Sequence, residues 1–315
     1  MNKFFRIINI LVVSLFFAIL IDFSLGQVLN NNQKEVLKSR DHVPYFGYTN
    51  IGLMENKQYF DDVDFFKNAG KDDVKVALFG GSTGQPLSEE YFSKKLSEKL
   101  HKKVTVKNFS AAAQIHRQHM HALLELLPKY NPDIVIFYGG FNDLWIGTWA
   151  DPRPSYPYNF FYFEEVPTVK KFFYENSAIC TLFQEKFNLL FFKNDFWKDC
   201  DAGSDDWQKK DAEKYLETLD LSKKVTETFT SKYYGNTRFI AFYQPFRNTD
   251  ETFVQAHNAV REKIKNLDYV YDIHNAYDGM NDIYEDICHV KENSGANEHI
   301  IDVMSDITAK KFPIK

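Results

Sequence analysis

Five short and almost wholly apolar runs, separated by longer segments of helical period, constrain this chain more than any other feature. Val74 to Phe79, Val104 to Lys107, Asp133 to Tyr138, Arg238 to Tyr243 and Tyr269 to Asp272 have the length and the β-branched or aromatic content of buried strands. Between them, Leu87 to Leu100 and Gln114 to Leu127 repeat apolar residues at helical spacing, and Asp211 to Tyr233 reads as a helix with a solvated Lys- and Glu-rich face. Strand and helix in alternation predict an α/β fold, three layers αβα, around a mostly parallel five-stranded sheet. The chain has 315 residues, 44% of them hydrophobic and 17% aromatic, which is ample for one sizeable core and argues against disorder. Open sheets of this kind bind ligands beyond the carboxyl ends of their strands, so the residues after each run are where chemistry is to be sought.

Two stretches fall outside this rhythm. Ile7 to Leu25 is nearly all apolar, is interrupted mainly by Asn9 and Asp22, and follows Lys3 and Arg6. About 20 apolar residues span a bilayer, whereas a signal peptide has a shorter apolar core and a small-residue cleavage site. Ser24 and Gly26 supply small residues but no Ala-x-Ala occurs, so residues 1–26 read as a signal-anchor or as a cleaved signal peptide. The next cation is Lys34, and the positive-inside rule then leaves residues 27–315 extracytoplasmic in either case, tethered to the membrane or secreted or periplasmic. The second stretch, about 146–207, carries Pro152, Pro154, Pro157 and the aromatic cluster Phe160 to Phe163. It is too long for a structureless loop and reads as a partly helical insertion, with Thr168 to Phe191 as its helix, serving either packing or as a lid or substrate wall.

Charge and cysteine content remove other classes. With 38 Lys and Arg against 43 Asp and Glu the net charge is -5, which argues against a nucleic-acid partner. Cys180, Cys200 and Cys288 are too few for a disulfide scaffold and match no zinc spacing. In an oxidising compartment Cys180 and Cys200, which share the insertion, are the more natural pair.

The polar residues after the strands form an ordered set. The first strand runs into Gly80-Gly81-Ser82-Thr83-Gly84, where a serine among glycines sits on a tight turn with its hydroxyl and its own N–H facing one space. No Gly-Lys-Ser/Thr follows, so this is not a phosphate loop. The second strand is followed by Asn108 to Ala113, a run of small residues, the third by Gly139-Gly140-Phe141-Asn142-Asp143, and near the C-terminus comes Asp286-Ile287-Cys288-His289.

In order and spacing these blocks resemble the SGNH (GDSL-like) hydrolase superfamily over most of the chain from about residue 74 onward. Gly81 stands where the first block usually has Asp, and Ala113 where the second usually has Gly. The resemblance implies a flavodoxin-like αβα domain and a serine esterase needing no cofactor and no metal. In it Ser82 is the nucleophile, His289 its base and Asp286 the orienting carboxylate, and the N–H groups of Ser82 and Ala113 with the side chain of Asn142 form an oxyanion hole. Asp143 supports its loop. His116 and Arg117, at the start of the helix after the second block, and Trp145 after the third are candidate substrate contacts.

Competing readings accompany these. Asn142 after Gly is also what a capped turn requires. His116 and His119 share a helical face, but His121 points about 140° away from His116, which disfavours a three-histidine zinc site. Asn108-Phe109-Ser110 matches a glycosylation sequon, yet its place beside the expected site argues against modification. The expected substrate is an O-acyl, above all O-acetyl, ester of a glycan. An O-acyltransferase acting on envelope polysaccharide, a lipase-like acylhydrolase and a non-catalytic envelope scaffold remain alternatives.

Overall fold

The computed structural model describes residues 3–29, 42–43, 47–48, 66, 69–112, 114–147, 177–179, 205–233, 235–247 and 254–313. The chain divides into two compact units, one of residues 1–40 with 159–199 and one of residues 41–158 with 200–315.

The larger unit is built on five parallel strands: β1 (Val74–Gly80), β2 (Val104–Asn108), β3 (Ile134–Gly139), β4 (Arg238–Tyr243) and β5 (Val270–Asp272). They lie in the order β2-β1-β3-β4-β5, every neighbouring pair parallel. This is the flavodoxin-like order, in which the chain reverses its direction across the sheet between β1 and β3. The crevice beyond the carboxyl ends of those two strands is therefore the expected site. The three layers predicted from the alternation are present, and the sheet is wholly rather than mostly parallel. His42–Val43 and Gly47–Tyr48 add a separate antiparallel pair.

The smaller unit contains α1 (Lys3–Leu29). The larger contains α2 (Glu89–Leu100), α3 (His116–Tyr130), α4 (Phe141–Gly147), α5 (Asp205–Tyr233), α6 (Val254–Ile264) and α7 (Ala296–Lys311). Alternate residues of each strand point to opposite faces, which divides the core in two. Phe79, Val135, Phe137 and Phe239 pack with Leu123, Leu219 and Val260 under α3, α5 and α6. Val76, Leu78, Ile136 and Ile240 pack with Phe92, Leu96, Ile300 and Met304 under α2 and α7. Burial on both faces is why β1, β3 and β4 read as continuous apolar runs.

Helix α2 begins where Ser88 accepts a hydrogen bond from the Tyr91 N–H, an N-cap with Glu89 and Glu90 in the first turn. Helix α3, expected to end at Leu127, passes through Pro128 and closes at Tyr130, where Asn131 takes a left-handed conformation and returns its N–H to the Leu127 carbonyl.

In the smaller unit, the stretch Phe5–Gly26 of α1 has a mean hydropathy of 2.4 and is long enough to cross a membrane, a property that a signal sequence shares. The residues of α1 from Phe5 through Ile21 are exposed, and burial begins at Asp22, whose Oδ1 accepts the Ile179 N–H at 2.8 Å. Helical backbone at Ala178 and Ile179 lies inside the helix expected in the insertion. Cys180, Cys200, the proline run and Phe160 to Phe163 lie outside the described residues.

Candidate active site

The nucleophile turn follows directly from β1. The Gly84 N–H donates to the Gly81 carbonyl at 3.0 Å and the Gln85 N–H to the Ser82 carbonyl at 3.3 Å, so Ser82 sits at the head of a tight turn. Asn108, the last residue of β2, holds that turn from the side. Its Nδ2 donates to the carbonyls of Gly84 at 2.8 Å and Leu87 at 3.1 Å, and its Oδ1 accepts the Ser110 N–H at 3.0 Å. The sequon amide is thus spent on architecture. Close approach explains the glycines, since a Cβ at Gly84 would lie 2.5 Å from Ser110 Oγ.

Asp286 and His289, the expected acid-base pair, hang from a short loop rather than a helical turn. Tyr284 and Val290 form an antiparallel bridge, and the Glu285 N–H donates to the His289 carbonyl at 2.9 Å, pinching off Asp286 to His289. Asp286 Oδ1 accepts the N–H groups of Cys288 at 2.8 Å and His289 at 2.7 Å, while its Oδ2 meets His289 Nδ1 at 2.7 Å. Burial raises the Asp286 carboxyl, but these hydrogen bonds outweigh it and hold its pKa below the usual range. An ionised carboxylate only accepts, so the ring proton is on Nδ1 and Nε2 is left to accept. His289 Nε2 lies 2.7 Å from Ser82 Oγ.

Two segments 207 residues apart in sequence are therefore brought into one hydrogen-bonded line, Ser82, His289 and Asp286. Cys288 also brings its sulfur within 4.8 Å of the Asp286 and His289 donor atoms. Burial, with Asp286 beside it, pushes its thiol up to about 12.

Asn142 packs against the nucleophile turn at Gly81. Its Nδ2 donates to the Gln114 carbonyl at 2.9 Å, leaving a second N–H on the same nitrogen. A Cβ at Gly81 would fall 2.6 Å from that nitrogen. The glycine that replaces the usual Asp of the first block is thus matched to the seat of Asn142. Ala113 lies outside the described residues.

The remaining expected contacts separate. His116 is 1% exposed and does not face the crevice. Its Nδ1 meets Asp143 Oδ2 at 2.7 Å, and its backbone N–H donates to Asp143 Oδ1 at 3.0 Å. Asp143 thus clamps the start of α4 to the start of α3, a firmer role than loop support. His119 is also 1% exposed, and burial, with His116 beside it, drives its pKa well down. His121, half-buried, stands apart from this pair. Trp145 stacks on Phe141 with ring centroids 5.8 Å apart and keeps part of its surface exposed. Arg117 is half-buried and lines a small cavity next to Asp143.

Motif reading missed the brace that joins these parts. The segment after β4 sends the Gln244 N–H to the Gly139 carbonyl at 2.9 Å and the Arg247 N–H to the Ile287 carbonyl at 2.7 Å, and Thr83 Oγ1 donates to Gln244 Oε1 at 3.2 Å. One four-residue segment touches the nucleophile turn, the end of β3 and the acid-base loop. The signal available for it was its place after a strand.

No family model and no curated protein matches the chain. Among solved structures it is similar to an acetyl xylan esterase, at 13% identity over 73% of this chain and 98% of that one, with a TM-score of 0.39. A lipase from a goat rumen metagenome matches at 12% identity over 74% and 97%, also with a TM-score of 0.39. An acetylxylan esterase from Geobacillus stearothermophilus matches at 11% identity over 76% and 94%, again with a TM-score of 0.39.

Proposed function

We propose that the chain is a serine esterase of the SGNH type that works through an acyl-enzyme. The observation that carries this reading is the unbroken line from Ser82 Oγ through His289 to Asp286, each link 2.7 Å, at the carboxyl end of a central parallel strand. Ser82 Oγ attacks the ester carbonyl as His289 Nε2 takes its proton, and Asp286 holds the Nδ1–H and stabilises the imidazolium. The carbonyl oxygen becomes an oxyanion facing the Ser82 N–H, the free N–H of Asn142 Nδ2 and the Ala113 N–H. Collapse expels the alcohol, which receives the proton from His289. Water then enters by the same path in reverse and frees the acid.

We assign the substrate as an O-acetyl ester of a glycan, met outside the cytoplasm by a domain that α1 directs there. Exposure of His289 and Asp286, whose side chains are 38% and 52% accessible, suits an ester carried on a bulky polymer. Transfer to a sugar hydroxyl shares the acyl-enzyme and differs in the second nucleophile. Acetate release from an acetylated glycan, with and without a sugar acceptor, distinguishes the two. Free acetate without acceptor is the result expected, and product formed only with acceptor overturns hydrolysis in favour of transfer. If fatty-acyl esters turn over and acetyl esters do not, the substrate assignment fails.

A further inference from the structure

Beside Asn142 lies a cavity of about 70 Å3 that the chemistry above does not use. Two of its walls belong to the site: Asp143 follows Asn142, and Ile115 follows Gln114, whose carbonyl seats the Asn142 amide. The rest comes from Arg117 on α3 and from Asp211, Lys214, Tyr215, Glu217 and Thr218 on α5. The cavity thus adjoins the two segments that seat Asn142.

Its walls are polar and unusually costly. Tyr215 is 2% exposed, yet its hydroxyl has no hydrogen-bond partner among the described residues, and neither has Arg117 Nε. An unpaired buried polar group destabilises the fold, so a polar occupant is called for. Charge narrows its chemistry. Asp143 is engaged by His116, and the other charged residues of the lining are Arg117 and Lys214, Asp211 and Glu217, two of each sign. Balanced charge gives no reason to hold an anion or a cation, and charged walls repel an acyl tail. A neutral group that both donates and accepts fits, as a sugar hydroxyl does.

We infer that this cavity, walled by Arg117, Asp211 and Tyr215, is the subsite for the hydroxyl-bearing alcohol half of the ester. The inference rests on the esterase reading for its place in catalysis, but it makes a binding claim that stands apart from turnover. Two measurements test it. In the first, Tyr215→Phe and Arg117→Met are compared with the parent protein on an acetylated oligosaccharide and on p-nitrophenyl acetate, which has no hydroxyls. The ratio of the two kcat/KM values falls about tenfold in each variant, through KM for the sugar ester. Equal losses on both esters, or no loss, overturn the subsite.

In the second, Ser82→Ala protein is titrated with the unacylated oligosaccharide and followed by NMR. The sugar binds and shifts resonances around Tyr215, and the added Tyr215→Phe change weakens it. No binding, or binding indifferent to Tyr215→Phe, rejects the subsite even if the esterase is active. Binding without any esterase activity keeps the subsite and removes the reading above it.

Discussion

The molecule contains the same His-Asp arrangement twice. In Asp286 with His289, and in Asp143 with His116, one carboxylate oxygen accepts the histidine backbone N–H and the other meets ring Nδ1 at 2.7 Å. They differ in what the far nitrogen faces. His289 Nε2 reaches Ser82 Oγ at a solvent-exposed crevice, while His116 Nε2 is buried with no hydrogen-bond partner among the described residues. A carboxylate that orients an imidazole is therefore not by itself a catalytic feature. The first pair faces a hydroxyl whose proton its free nitrogen can accept, and the second has only two helix ends to hold together.

That contrast breaks most visibly at the exposed pair. His289→Gln is expected to lower kcat/KM on an acetyl ester by at least about four orders of magnitude, with little change in Tm. Asn142→Ala comes next, at about 10²- to 10³-fold in kcat with the acyl-enzyme chemistry intact, since it removes one donor to the oxyanion. His116→Gln should reverse the pattern of His289→Gln. It unfolds about 1–3 kcal/mol more easily, read as a lower midpoint in urea, and lowers turnover far less, because Asp143 loses a buried partner but Ser82 keeps its base. A structural loss at His289 or a catalytic collapse at His116 in a folded protein would erase the distinction.

Acid sharpens the comparison by the smallest margin. His257 is 1% exposed, and its Nδ1 lies 2.7 Å from the Tyr243 hydroxyl. Burial, together with His274 and Arg261, pushes its pKa down to about 4. The depressed value means that the unfolded chain binds a proton below about pH 6.5 that the folded chain refuses until about pH 4. Stability is thus full above that window and falls as the pH drops through it. Tm measured from pH 7 to pH 4 should decline, and the slope should flatten in His257→Gln.

Much of this was legible in the sequence because buried parallel strands are short apolar runs with abrupt polar ends. Val74 to Phe79 and Arg238 to Tyr243 announce themselves, and the four polar blocks that follow strands mark the crevice. Helices α6 and α7 were not anticipated. Their buried stripes include His257, Ser305 and Thr308 among the apolar residues, which blurs the helical period. Helix α4 was hidden because its seven residues are too short for a period to register. His116 read as a candidate substrate contact since its partner, Asp143, is 27 residues away in sequence. Gln244 and Arg247 were silent for the same reason, as they act largely through backbone groups that carry no residue signature.

The central claim is that Ser82 is an activated nucleophile, and covalent labelling of the folded protein by a fluorophosphonate tests it most directly. The account predicts one adduct per chain, located on the peptide containing Ser82 by mass spectrometry and absent from Ser82→Ala. No adduct on the folded protein, or an adduct that survives Ser82→Ala, would contradict it.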